Sequence, residues 1–268
     1  MTSSSLQRGH LIALHCSLGS GRQWTQLEAE VCRSYSVVAP DIAGYGAGST
    51  YLPMTLADEV AHLRAAIGKV EGPFHLVGHS YGGAIALKIA TASEFADRVR
   101  SLTLIEPVLP TLLRDRPADR RLHDLFAQLA RDISVDLWKG MSMEALDRFM
   151  SYWNGSAPAE QLSAETRLRL IERVKKLAYD FNAVLSEENV AVSAAAIGVP
   201  TLLMSGGLSP YLTQRIVARL ASIIPSVKLH FASAGHMLPL THAKLVNPLI
   251  TAHIQRADTL ARLAGIRT

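Results

Sequence analysis

The feature that most constrains this chain is the run Gly78-His79-Ser80-Tyr81-Gly82-Gly83. It follows the short apolar run Phe74-His75-Leu76-Val77 and opens the helix-forming stretch Gly82 to Ala92. Strand, sharp turn and helix in immediate succession leave little freedom. The turn requires residues without side chains where strand and helix cross, and Gly78 and Gly82 stand at those points. The residue between them, Ser80, is forced into a strained backbone conformation that throws its hydroxyl off the end of the strand.

Other short apolar runs alternate with helical patterns. Leu11–His15, Tyr35–Ala39, Ser101–Ile105, Thr201–Met204 and Val227–Phe231 read as strands. They are bounded by Ser, Gly and Pro. Gln23–Arg33, Thr55–Val70, Leu212–Ile224 and Ala243–Ala261 read as helices. The second opens on a capping Thr with Asp58 and Glu59 in its first turn. Six buried strands alternating with helices predict an α/β fold, with a mostly parallel central sheet flanked by helices. Residues 111–190 break the alternation with helical patterns alone, punctuated by Arg116-Pro117 and Ser156-Ala157-Pro158. The organisation expected is therefore a core of residues 1–110 and 191–268 with a helical cap at 111–190.

In an open parallel sheet, ligands meet the carboxyl ends of the strands. Ser80 belongs there, and a nucleophilic Ser needs a base. His236 lies in Ala234-Gly235-His236-Met237, after the last strand and before the last helix. This is the only late histidine in a Gly-flanked loop at a strand end, and His242 reads as a helix-start surface residue. His79 is too close to Ser80 along the chain to act as its base, and reads as a packing or hydrogen-bonding neighbour. The base needs a carboxylate to orient it. No Asp or Glu occurs between Asn189 and Ala257, so the loop after the fifth strand, Ser205-Gly206-Gly207-Leu208-Ser209-Pro210, supplies none. Glu106, ending the fourth strand just before Pro107, is the carboxylate expected in its place. A salt bridge from this residue to the cap is the plainer alternative, and an acid supplied from elsewhere or a Ser–His dyad is a further one. Two backbone N–H groups must face the developing oxyanion. These are expected from Tyr81, directly after the nucleophile, and from Ser17 in the loop that follows the first strand. Gly19, Ser20 and Gly21 in that loop lack the Lys-Ser/Thr ending of a phosphate loop.

Together, His15–Trp24, Pro40–Ser49, Gly78–Gly83, Leu104–Pro107, Pro200–Pro210 and Ala234–His242 resemble the α/β-hydrolase superfamily, and specifically its capped single-domain branch of esterases, lactonases and carbon–carbon bond hydrolases. The resemblance implies a serine hydrolase working through an acyl-enzyme on small, largely apolar esters or lactones. It departs from the usual pattern in two places: Cys16 stands where Gly is usual, and Leu208 where most members carry the acid. A minority carry the acid after the strand that ends at Glu106. Ser80 argues against the dehalogenases and epoxide hydrolases of the fold, which use Asp there.

The cap is expected to line the substrate site, with Trp138 and Trp153 among its apolar candidates and Trp24 beside the oxyanion loop. Arg120 and Arg121, in a basic cluster with Arg114 and Arg116, are the test sites for an alternative activity, carbon–carbon cleavage of a dienoic keto-acid. A non-turnover binding protein on the same scaffold is a further alternative. No metal is expected, because His236 and His242 lack a cluster of ligand spacing, and no cofactor is expected. A net charge of +4, without Lys/Arg blocks, gives no reason to expect nucleic acid. The absence of an apolar run of membrane length, and of a secretory pattern in Met1–His10, points to no membrane partner and to a cytoplasmic enzyme. Cys16 and Cys32 are expected as free thiols. A small-molecule substrate is the partner expected, and the oligomeric state is left open.

Overall fold

The computed structural model describes residues 9–46, 51–155 and 162–265. The Ser156-Ala157-Pro158 break, the end of the Pro40–Ser49 motif and most of Met1–His10 lie outside them. The core runs β1 (Gly9–Leu14), α1 (Thr25–Val31), β2 (Tyr35–Val38), α2 (Leu56–Gly68), β3 (Phe74–His79), α3 (Tyr81–Thr91) and β4 (Val99–Ile105). Among the described residues, six helices follow: α4 (Thr111–Arg114), α5 (Arg120–Trp138), α6 (Ser142–Asn154), α7 (Ala164–Arg173), α8 (Lys176–Ser186) and α9 (Val190–Ala195). The chain then returns through β5 (Thr201–Gly206), α10 (Tyr211–Ala221), β6 (Val227–Ala232), α11 (Leu238–Thr241) and α12 (Ala243–Leu263).

All six strands pair in parallel, in the order β2-β1-β3-β4-β5-β6. Strand residues alternate between two apolar clusters. Ile12, Leu14, Leu76, Leu102 and Leu104 face the larger one, with α2, α3, α10 and the inserted helices. Leu11, Ala13, Val77, Ile105 and Met204 face the smaller one, with α1 and α12. A period of two in the strands thus gives a sheet covered on both sides.

The chain leaves β1 toward β2 on one side and returns to β3 on the other. The crevice between the β1 and β3 ends is therefore a topological switch point, the place where such sheets take ligands. The Ser17 and Ser80 loops open onto it. The α2 start follows the sequence closely: Thr55 accepts from the Asp58 N–H while the Asp58 carboxylate accepts from that of Thr55.

Candidate active site

Ser80 sits at φ 57°, ψ −118°, outside the regions an L-residue favours. Hydrogen bonds lock it there: its N–H donates to Ile105 O (2.9 Å), and its carbonyl accepts from Gly83 and Val108. A Cβ on Gly78 would lie 2.3 Å from Gly82 O, and one on Gly82 would lie 2.4 Å from His15 O. Both glycines are therefore steric requirements of the turn. Glu106 is also at positive φ (45°), with its N–H bound to Met204 O at 3.0 Å. Strain of order 1–3 kcal/mol at such positions is held in place by the sheet around them.

The geometry joins these residues into one line. The Ser80 hydroxyl lies 2.9 Å from His236 Nε2, and His236 Nδ1 lies 2.6 Å from Glu106 Oε2. The other carboxylate oxygen, Oε1, accepts from the Gly206 N–H at 2.7 Å and the Ser205 hydroxyl at 3.2 Å. Glu106 is completely buried, and Ser80 and His236 nearly so. With Nδ1–H donating to Glu106, the imidazole presents a bare Nε2 to Ser80, the tautomer a base requires. Trp153 stacks on this imidazole, with ring centroids 4.0 Å apart and an interplanar angle of 22°. His79 donates from Nε2 to the His236 carbonyl at 2.9 Å and so braces the loop that carries the base.

The loop after β1 is equally fixed. His15 donates from Nδ1 to Cys16 O at 2.7 Å and accepts at Nε2 from the Ile42 N–H at 2.9 Å. Burial lowers its pKa to about 4, so it stays neutral. Burial pushes the Cys16 thiol up to about 12, so it is no thiolate. Cys16 and Cys32 are both free. Among the described residues, the backbone N–H groups of Ser17 and Tyr81 have no protein acceptor.

Two cavities meet at Ser80. A narrow one, of about 20 Å³, is walled by Val108, Phe126, Leu177, Phe181 and Val184, with Asp180 at its edge. A wide cleft of about 770 Å³ runs past Cys16, Met150, Leu170 and Leu240 and carries Arg22, Arg169 and Arg173. Phe149 and Trp153 border both.

Several expectations need correction. Trp24 does not line either cavity. The 3₁₀ turn Gly21–Trp24 turns it inward, where it is 1% exposed against Leu27 and Val31. Trp138 is 86% exposed. The buried stripe of α5 runs through Phe126, Ala130 and Ile133, and Trp138 falls one position beyond its next repeat. Arg120 and Arg121 are not in the cleft. Arg120 bonds to the Arg114 carbonyl, and Arg114 and Arg116 pair with Asp115 and Asp119 away from Ser80. Leu208 is 75% exposed, so a side chain there faces solvent. The inward residue of that loop is Ser209, whose buried hydroxyl has no partner.

The sequence reading also missed a buried charge cluster. Lys176 donates to Glu59 Oε1 (2.6 Å) and to Asp180 Oδ1, and all three side chains are buried. Ser17 and Tyr45 donate to Asp180 Oδ2, and Tyr81 OH donates to Glu59 Oε1. Burial pushes the Glu59 carboxyl up to about 7, with Lys176 opposing, and its Oε2 is unpartnered. Burial also raises Asp180 against the pull of Lys176. The Lys176 ammonium is drawn down by burial, but the two carboxylates outweigh that and hold it above its usual value. The signal was present in α8, where Lys176 and Asp180 stand four apart in phase with the apolar Leu177, Phe181 and Val184.

Residues 11–249 match the model of the alpha/beta hydrolase family. The chain belongs to that family. It is 33% identical to lipase LipV of Mycobacterium tuberculosis over 37% of each chain, so the match spans about a third of that lipase. It is 24% identical to N-formylmaleamate deformylase of Pseudomonas putida, covering 87% of this chain and 84% of that one. In structure it resembles the enol-lactonase from Burkholderia xenovorans LB400 with a TM-score of 0.72, at 16% identity and over 93% and 92% of the two chains. Among the described residues, no helix is long and apolar enough to cross a membrane.

Proposed function

We propose that the protein is a serine hydrolase that cleaves small, largely apolar carboxylic esters or lactones through an acyl-enzyme. The observation that carries this reading is the unbroken line Glu106–His236–Ser80, ending where two cavities meet. Ser80 Oγ attacks the carbonyl carbon as His236 Nε2 takes its proton. The carbonyl oxygen becomes an oxyanion facing the N–H groups of Ser17 and Tyr81. The Glu106 carboxylate and the face of Trp153 favour the imidazolium that forms. The tetrahedral species collapses, His236 passes the proton to the departing alkoxide, and Ser80 is left acylated. Water, deprotonated by His236, attacks the acyl carbonyl. The second tetrahedral species releases the acid, and the proton returns to Ser80.

The helices between β4 and β5 serve as a cap that divides the substrate. The narrow apolar cavity suits a short acyl chain, and the wide cleft suits the leaving group. A second reading has one observation in its favour: Arg22, Arg169 and Arg173 on the cleft wall suit a substrate with a carboxylate, as carbon–carbon cleavage of a keto-acid would require.

The test is hydrolysis of p-nitrophenyl acetate, butyrate and octanoate by wild type and Ser80→Ala. Turnover should fall by about 10⁴-fold or more in the variant, and the acetate and butyrate should exceed the octanoate. Surviving turnover in Ser80→Ala would remove Ser80 as nucleophile.

A further inference from the structure

The two residues expected to supply oxyanion N–H groups come from separate loops, after β1 and after β3, yet their side chains end on one buried assembly. The Ser17 hydroxyl donates to Asp180 Oδ2 at 2.5 Å, and the Tyr81 hydroxyl donates to Glu59 Oε1 at 2.8 Å. Lys176 joins the two carboxylates, so the path Ser17–Asp180–Lys176–Glu59–Tyr81 is continuous. Its ammonium lies 5.0 Å from the Tyr81 ring centroid and 5.6 Å from that of Tyr45, and Tyr45 OH is a second donor to Asp180 Oδ2.

A buried charged trio is a poor way to gain stability, since well-packed apolar residues commonly do as well or better. It is well suited to fixing distances. Both Asp180 oxygens and Glu59 Oε1 accept along defined directions, and the lysine offsets the repulsion between the two carboxylates. Ser17 has a single side-chain torsion, so anchoring its hydroxyl also fixes the peptide beside it. Asp180 and Lys176 lie on α8, one of the inserted helices, and Glu59 lies on α2. The separation of the two N–H groups thus depends on elements that touch neither of them directly through backbone.

We infer that Lys176 is a positioning residue which, by bridging Glu59 and Asp180, holds Ser17 and Tyr81 so that their N–H groups form the oxyanion hole. This rests on the hydrolase reading above. It adds that the inserted helices set the geometry of the reaction as well as the shape of the substrate site.

Cutting the path at its ends leaves the buried trio intact. The test therefore compares Ser17→Ala, Ser17→Thr, Tyr81→Phe and the Ser17→Ala/Tyr81→Phe double variant. On p-nitrophenyl butyrate, Ser17→Ala and Tyr81→Phe should each lower kcat by about 10- to 100-fold with KM nearly unchanged, since the lost interaction acts in the transition state. Ser17→Thr, which keeps the hydroxyl, should recover most of the loss. The double variant should fall short of the product of the singles, because both act through one lysine. Wild-type kcat in both single variants, or Ser17→Thr falling as far as Ser17→Ala, would overturn the inference. Backbone amide NMR provides a readout that needs no turnover: the Ser17 amide should shift in Tyr81→Phe, and the Tyr81 amide in Ser17→Ala. Should wild type hydrolyse no ester, the hydrolase reading fails alone, and amides unmoved across the bridge would then overturn the positioning as well.

Discussion

Two of the molecule's buried carboxylate networks are built in opposite ways. Glu106, His236 and Ser80 come from the ends of strands or the loop that follows one. Their geometry is set by strained backbone and by the sheet's hydrogen bonds. Glu59, Lys176 and Asp180 come from two helices, and their geometry is set by side chains alone. In the first network the carboxylate has backbone and hydroxyl donors of its own, Gly206 N–H and Ser205 Oγ, besides its histidine. In the second, among the described residues, Lys176 is the one cation paired with both carboxylates. The first should therefore tolerate loss of charge and lose chemistry. The second should lose stability.

The largest effect expected is on the first network. Glu106→Gln keeps the shape but no longer holds the imidazole in the right tautomer, and kcat should fall by about 10⁴-fold. Steady-state kinetics on p-nitrophenyl butyrate measures it. The frame of the β5 loop sharpens the point. Adding Ser209→Asp to Glu106→Gln should restore part of the lost activity, because residue 209 faces inward, whereas adding Leu208→Asp should restore none. Recovery by Leu208→Asp would show that the acid reaches His236 by another route.

The second network predicts a change in stability. Lys176→Met leaves two buried carboxylates without their cation and should lower unfolding free energy by about 3–5 kcal/mol. Glu106→Gln should cost less, because Gln retains an oxygen for the Gly206 N–H. Urea denaturation of both variants and wild type makes the comparison. An equal loss in the two would erase the distinction drawn between the networks.

The same contrast governs what could be read from the chain. All six strands were legible because each is a short apolar run between Gly, Pro or Ser, and a fully buried parallel strand has no polar face to disguise it. The first network was legible because each member marks the end of a strand. Glu106 could even be reached from the lack of any acid between Asn189 and Ala257. Side-chain direction was the weak point. The sequence suggests Trp24 and Trp138 as substrate contacts, yet one turns into the core and the other to solvent. In the β5 loop, Leu208 faces solvent and its neighbour Ser209 faces inward. The ion trio was legible only in part: Lys176 and Asp180 stand four apart on α8, but nothing local links them to Glu59 or Ser17, which only the packing of α8 against α2 and the β1 loop brings in.

The smallest effect expected separates the trio from the buried histidines by pH. Burial lowers His15 and His253 to about 4 and His79 well below its ordinary value. As pH falls from 6.5 toward 4, the unfolded chain takes up protons at these histidines that the native chain refuses, so stability is lost. Glu59, raised to about 7, has the opposite sign: its contribution is full below about 4.5 and is lost as pH rises through 7. Asp180, also raised, acts in the same sense as Glu59. The three histidines outweigh Glu59 in this window, so unfolding free energy should rise between pH 5 and pH 6. Glu59→Gln removes one opposing proton and should steepen that rise by roughly 1 kcal/mol per pH unit. Urea midpoints at pH 5 and 6 for wild type and Glu59→Gln measure both slopes. Parallel slopes would mean that Glu59 exchanges no proton on unfolding in this range. The trio would then hold two full negative charges against one lysine, and its dependence on Lys176 would be greater than argued above.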